Sequence, residues 1–179
     1  SNDGYIKRVP MKYYNRSNAN VEGIEYREGD FNTYSIGTNT KETLMIFTDI
    51  GNVYQLRGDL VPEYKWKEKG ERLDTLIRGM DLTKERIIAT FLLGDLSASK
   101  QFIFFTSKGN IKKTFLDKFV TSYSKLSALK LKENDKLIDI RLIKKDRHEA
   151  FIKVITKEGL EFSIEERSEE RRVGKECME

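Results

Sequence analysis

One cysteine and one histidine in 179 residues leave no room for a Cys/His zinc site or an internal disulfide framework. Proline occurs only at Pro10 and Pro62, so little in the chain forbids strand ladders. No apolar run approaches the roughly 20 residues that a membrane-spanning helix needs, and no secretory leader opens the chain. There is no glycine-rich phosphate loop and no acidic spacing of the kind that cradles calcium. His148 lies in KKDRHE, residues 144–149, a charged link between two apolar segments with no nucleophile beside it. These absences count against a self-contained enzyme, a small-molecule substrate, a cofactor in this segment and a membrane partner. They fit a reducing, cytoplasmic setting.

What is present is a folded, highly charged composition, 38% hydrophobic and 35% charged, in a chain long enough for a sizeable core. The net charge is +4, from 33 basic and 29 acidic residues. That total says little about a nucleic-acid partner, because clustering decides such cases. Both ends read as cut. There is no initiator methionine, and Ser1-Asn2-Asp3-Gly4 reads as a turn without a strand before it. RSEERRVGKEC, residues 167–177, matches the in-frame translation of a common sequencing adapter. Residues 167–179 are therefore expected to be a non-native read-through tail, and residues 1–166 the folded domain.

A repeat runs through the chain: an apolar strand, Thr-x-x-Gly, then a second strand. LMIFT (44–48) leads to Gly51, FIFFT (102–106) to Gly109, and FIKVIT (151–156) to Gly159, while Gly4 ends the same turn with its leading strand missing. A type I turn followed by a residue at positive φ joins two antiparallel strands, and glycine takes that φ without penalty. The strand before the turn is apolar throughout, which suits burial on both faces. After Gly159 the residues alternate, with Leu160, Phe162 and Ile164 on one side. A second half-motif follows each turn. REGD (27–30) precedes FNTYSI (31–36), KEND (132–135) precedes KLIDIRLI (136–143), and a looser copy with Met80-Asp81 and Lys84-Glu85-Arg86 precedes residues 87–93. Each unit thus offers about four short strands in about fifty residues, the size of a propeller blade. The reading is three blades, the first lacking a strand, plus the opening strands of a fourth that could complete another blade by exchange.

Three segments carry a family resemblance. TSKGNIKKTFLDKF (106–119) holds the turn, a basic pair and an apolar follow-on. LKLKENDKLIDIRLI (129–143) is a Leu-Lys-x-x-Asp half followed by a strand. DLVPEYKWKEKGERL (59–73) resembles a Trp-Lys segment of topoisomerase IV A subunits from Gram-positive bacteria. Together they resemble the C-terminal domain of bacterial type IIA topoisomerase A subunits, an all-β, propeller-like β-pinwheel of four-stranded blades. The resemblance covers residues 1–166. It implies a non-catalytic module that binds and bends double-stranded DNA for the parent's catalytic core and B subunit in DNA topology and chromosome segregation. Mg²⁺ and ATP would belong to that parent, at the bacterial nucleoid. Gyrase carries a Gln-Arg-Arg-Gly-Gly-Lys-Gly type box, which residues 1–179 lack, so topoisomerase IV is favoured over gyrase. The alternative of another class is a propeller-like protein-interaction scaffold.

The candidate DNA contacts follow from the repeat register. Lys7-Arg8 and Lys112-Lys113 stand third and fourth after their turn glycines, and Arg57 lies near the corresponding place in the middle copy. From Lys108 to Lys130 there are six lysines against one acid, among them Lys108 and Lys118; from Lys65 to Arg72 four basic residues face two acidic ones, with Lys65, Lys67 and Arg72 the candidates. Charge recurring at one repeat position would line an outward edge and neutralise phosphates with little base reading. Trp66, between two lysines, reads better as a loop anchor than as a DNA contact. Phe102, Phe104, Phe105 and Tyr13-Tyr14 read as core rather than base-stacking platforms.

Overall fold

The four turn glycines Gly4, Gly51, Gly109 and Gly159 have φ between 76° and 85°, a region strained for side chains larger than hydrogen. In the first three, the glycine N–H closes the turn on the carbonyl three residues back: Gly4 on Ser1 at 3.2 Å, Gly51 on Thr48 and Gly109 on Thr106 at 3.0 Å. The computed structural model describes residues 1–17, 28–94, 96, 99–144, 151–155, 157–165 and 170–172.

The strands are β1 (Tyr5–Ile6), β2 (Thr43–Thr48), β3 (Asn52–Arg57), β4 (Glu71–Arg72), β5 (Ile87–Leu92), β6 (Ser99–Thr106), β7 (Asn110–Phe115), β8 (Lys125–Ser127), β9 (Leu137–Lys144), β10 (Phe151–Ile155), β11 (Glu161–Glu165) and β12 (Glu170–Arg172). They form two four-stranded antiparallel sheets, ordered β5-β2-β3-β8 and β9-β6-β7-β12, and two pairs, β1-β4 and β10-β11. The chain divides into two compact units, Ser1–Gly94 with Ser122–Lys130, and Asp95–Thr121 with the residues from Leu131 onward.

In both four-stranded sheets one edge strand comes from further along the chain, and the β1-β4 pair repeats that arrangement. β3 receives β8 with Asn52 opposite Ser127, β7 receives β12 with Asn110 opposite Arg172, and β1 receives β4 with Tyr5 opposite Arg72. Tyr5, Asn52 and Asn110 each follow the turn glycine directly, so all three registers are the same. β12 falls within residues 167–179, the stretch read from sequence as foreign to the fold; it stands against β7 as β8 stands against β3.

Continuous apolar patterning before the turn does produce two-sided burial. On β2, Leu44 and Ile46 face a core with Tyr54, Leu56, Val61, Leu73, Ile77, Met80 and Leu92, while Met45 and Phe47 on the other face are also fully buried. On β6, Ile103 packs with Ile111 and Ile143. On its opposite face, Phe119 packs edge-on against Phe102 at 5.4 Å and against Phe104 at 6.3 Å. Each such side chain removed from water contributes about 1.5–3 kcal/mol. Phe102 and Phe104 are thus core, whereas Tyr13 is exposed.

One expectation needs correction, and the all-β architecture carries two short helices: α1 (Met11–Ser17) in the first blade and the one-turn α2 (Leu73–Leu76) after β4. Pro10 starts α1: its carbonyl accepts from the N–H groups of Tyr13 and Tyr14, and proline's fixed φ suits a helix start. Residues 31–36 form no strand. Their counterparts β5 and β9 pair with β2 and β6, whereas residues 31–36 take part in no strand pairing among the described residues, and Tyr34 reaches the carbonyl of Ile88 on β5 only through its hydroxyl, at 2.8 Å. His148 and residues 145–150 lie outside the described residues.

The half-motifs have a shared physical role. Asp49 N–H bonds Arg86 carbonyl at 2.9 Å, Ser107 N–H bonds Lys136 carbonyl at 2.8 Å, and Asn2 N–H bonds Phe31 carbonyl at 2.8 Å. The residue before each of those carbonyls is acidic: Glu85, Asp135 and Asp30. Glu85 accepts from Thr48 Oγ1 (2.7 Å), Asn52 Nδ2 (3.1 Å) and Tyr54 OH (2.5 Å). Asp135 accepts from Ser107 Oγ and Lys108 N–H (both 2.9 Å) and Asn110 Nδ2 (3.0 Å). Asp30 accepts from Asp3 N–H at 2.9 Å. A carboxylate therefore clasps each of these three turns, and it reaches its turn only when the two halves of a repeat have come together.

Candidate nucleic-acid interface

In the first unit, the basic pair Lys7-Arg8 is folded against the loop that leads to β4. Arg8 N–H donates to Pro62 carbonyl at 3.1 Å, and Tyr64 N–H donates back to Arg8 carbonyl at 3.2 Å. The Arg8 guanidinium donates from Nε to Val61 carbonyl and pairs through Nη1 with Glu63, both at 2.8 Å. Lys7 Nζ donates to the carbonyls of Trp66 and, at 2.5 Å, of Glu68, with the Lys65 carbonyl at 3.5 Å. Burial pushes the Lys7 ammonium below its ordinary value, and nearby Glu68 opposes that shift. Both side chains are thus hydrogen-bonded to the 61–68 loop while staying partly exposed.

The loop they hold is a tight turn. Glu68 N–H bonds Lys65 carbonyl at 3.1 Å, and the Glu68 carboxylate accepts from Lys65 N–H at 2.7 Å. Trp66 meets Tyr14 of α1 edge-on at 5.4 Å and has Lys7 Nζ 5.8 Å from its ring centre, so it anchors the loop. Gly70 ends it at φ +89°, where an added Cβ would stand 2.4 Å from Ile6 carbonyl oxygen. Lys65, Lys67 and Lys69 are exposed, the last with its ammonium 5.6 Å from the Tyr5 ring. The nearby acids have structural partners: Glu63 has Arg8, Glu68 the Lys65 N–H, and Glu71 the Tyr64 hydroxyl at 2.8 Å. Arg72 is held by Asp74 at 2.7 Å, and Arg57, more exposed, by Asp59 at 2.6 Å.

In the second unit, Lys112 and Lys113 are successive residues of β7, opposite Phe104 and Ile103 respectively. Successive strand residues point to opposite faces, so one surface cannot collect both. Lys108 is exposed and donates to Glu133 carbonyl at 2.6 Å. Lys118, in the 3₁₀ turn Leu116–Phe119, is exposed between the buried Leu116 and Phe119.

The ten sequence candidates differ in their surroundings. Lys65, Lys67 and Lys118 are exposed, Lys7, Arg8 and Arg72 are partly buried and hydrogen-bonded to their own chain, Arg57 and Lys108 are exposed but hydrogen-bonded to Asp59 and Glu133, and Lys112 and Lys113 diverge. Lys69 was missed by position, although the alternation of lysines at 65, 67 and 69 around one turn was the available signal. Among the described residues there is no group of three or more His, Cys, Asp or Glu placed to hold a metal, and no helix long and apolar enough to cross a membrane.

Residues 1–34, 42–90 and 100–144 match the family described as DNA gyrase C-terminal domain, beta-propeller. The chain is 34% identical over 152 residues to the DNA gyrase A subunit of Campylobacter jejuni, covering 83% of this chain and 17% of that protein. It is 32% identical over 162 residues to the DNA topoisomerase 4 A subunit of Staphylococcus aureus, covering 89% and 19%. The chain therefore spans under a fifth of the length of these relatives. Its structure superposes on the C-terminal domain of DNA topoisomerase IV with a TM-score of 0.77 and 27% identity, over 93% of this chain and half of that one. A DNA gyrase A C-terminal domain, at 19% identity and a TM-score of 0.51 over 73% of this chain and 39% of that one, shares the fold.

Proposed function

The chain belongs to the DNA gyrase A C-terminal β-propeller family of type IIA topoisomerase A subunits, and from that membership we propose that it binds duplex DNA without base specificity as part of a topoisomerase IV A subunit. The observation that carries the reading is the exposed set Lys65, Lys67 and Lys69 on one turn, whose neighbouring carboxylates Glu63, Glu68 and Glu71 already have hydrogen-bond partners other than these ammonium groups. Ammonium groups on such a turn neutralise phosphates, and counterion release supplies the affinity. The second unit adds Lys118 on an exposed turn.

The domain works without a catalytic centre of its own. It positions or bends duplex DNA, while strand passage, with its Mg²⁺ and ATP, belongs to the parent's catalytic core and the B subunit. Likeness to the topoisomerase IV C-terminal domain over 93% of the chain supports that assignment over gyrase. We place this module in the bacterial cytoplasm, the setting of a DNA-binding topoisomerase subunit.

Fluorescence anisotropy with a labelled duplex of mixed sequence tests this. Binding should weaken with salt at a log–log slope of about −0.9 per phosphate neutralised, with equal affinity for unrelated sequences. No binding at low salt would defeat the proposal and favour the scaffold reading. A ladder of negative supercoils formed when the parent carries this domain would assign it to gyrase instead.

A further inference from the structure

Lys7 is the most conspicuous cation of the first blade, yet its half-buried ammonium is hydrogen-bonded to its own chain. Three carbonyls, of Lys65, Trp66 and Glu68, converge on Nζ, and the Trp66 ring lies beside it. Three acceptors around one nitrogen match the three donors of an ammonium. The carbonyls belong to the turn whose side chains at 65, 67 and 69 point outward. With Nζ removed, the turn keeps its own Glu68–Lys65 closure and its flanks stay paired through Arg8–Tyr64 and Ile6–Glu71, but the tip of the turn loses its direct side-chain tie to the strand leaving Gly4.

We infer that Lys7 is a positioning residue for DNA binding: it pins the 65–69 turn so that its lysines present one fixed phosphate-binding row, and does not itself touch phosphate. The inference rests on the proposed function. Pinning matters because three long side chains on a loose turn must be ordered at the moment of binding, whereas a fixed turn has already met part of that cost. It also explains why an apparently ideal DNA-contact residue spends its ammonium on backbone carbonyls.

A double-mutant cycle on the full 179-residue chain decides it. Lys7→Met should weaken duplex binding about tenfold, equivalent to losing roughly one charge-assisted contact, and should shift the emission of Trp66, the chain's single tryptophan, to the red. In a background of Lys65→Gln, Lys67→Gln and Lys69→Gln, the same Lys7→Met change should cost no further affinity. An equal loss in both backgrounds would mean a direct phosphate contact and overturn the inference. So would unchanged affinity in the Lys7→Met chain. If circular dichroism shows that Lys7→Met does not fold, Lys7→Arg carries the test. A planar guanidinium keeps the charge but not the compact three-donor geometry, so it should lose affinity too, and retained affinity would overturn the inference. Failure of the unmutated chain to bind duplex at low salt would overturn the proposed function and this inference together, which separates that failure from the others.

Discussion

The Thr48 hydroxyl donates to the Glu85 carboxylate across 2.7 Å, joining positions 37 residues apart inside a sealed core. Tyr54 donates to the other oxygen of the same group, and burial together with Glu85 raises the Tyr54 phenol above its ordinary value. Glu85→Ala would take the carboxylate acceptor from the buried Thr48 hydroxyl and leave Tyr54 only the Gly79 carbonyl at 3.2 Å. It should cost about 3 kcal/mol in urea-unfolding experiments, because unsatisfied buried groups are expensive. Glu158→Ala, at an exposed position, should cost under about 0.5 kcal/mol. Equal losses would show that the clasp contributes nothing particular.

Acid should open these clasps. Burial alone would raise the Asp135 carboxyl, but hydrogen bonds from Thr106, Lys108 N–H, Asn110 and Ser107 outweigh it and hold it at about 2, below the ordinary 3.8. A carboxyl whose folded value is depressed binds fewer protons folded than unfolded, so its stabilisation is complete above the unfolded value and is lost as pH falls. The melting temperature should therefore drop between about pH 4 and pH 2. Asp135→Asn should flatten that fall while lowering the plateau at neutral pH. Parallel acid limbs in the two proteins would sink this assignment.

The hairpins were legible in the sequence because a turn glycine at positive φ and a run such as LMIFT have few other physical meanings. The carboxylates Asp30 and Asp135 were visible as part of a recurring half-motif, although what they hold was not. Glu85 hid in the looser copy, since its longer side chain reaches the turn from a differently shaped approach. The hydrogen-bond partners of the basic pair were the least legible. Sequence records that Lys7 and Arg8 are charged, but their orientation depends on carbonyls more than fifty residues away. Helix α1 escaped because a seven-residue segment with Tyr13, Tyr14 and Asn15 has weak intrinsic helix propensity; packing of Tyr14 against Trp66 supports it.

Gly70→Ala should be far more damaging than Gly37→Ala. The first substitution places a methyl group 2.4 Å from Ile6 carbonyl oxygen at a positive φ, while the second meets nothing within 4 Å. A loss of about 1–3 kcal/mol is expected for Gly70→Ala, from strain at that conformation, with displaced Trp66 fluorescence. Indistinguishable melting curves would show that the loop does not need this close approach.

Charge reversals should sort the lysines from the arginine. Lys67→Glu and Lys118→Glu, both on exposed turns, should weaken duplex binding at every sequence tried and change the melting temperature little. Arg8→Glu should instead lower stability by about 1–2 kcal/mol, since it sets a carboxylate against Glu63 and leaves the Val61 carbonyl without its donor. Arg8→Glu leaving the melting temperature unchanged while abolishing binding would restore Arg8 as a surface contact.

The borrowed fourth strand sets the order in which the protein can mature on the ribosome. β3 leaves the exit tunnel with one flank open, and that flank stays open until β8 has been made, after the whole of β6 and β7. Until then, the backbone of Asn52, Val53 and Tyr54 presents an unfilled ladder to whatever strand arrives first. Each nascent sheet thus waits for its successor, and a pause in translation between residues 58 and 124 would lengthen its exposure to mispairing with neighbouring chains.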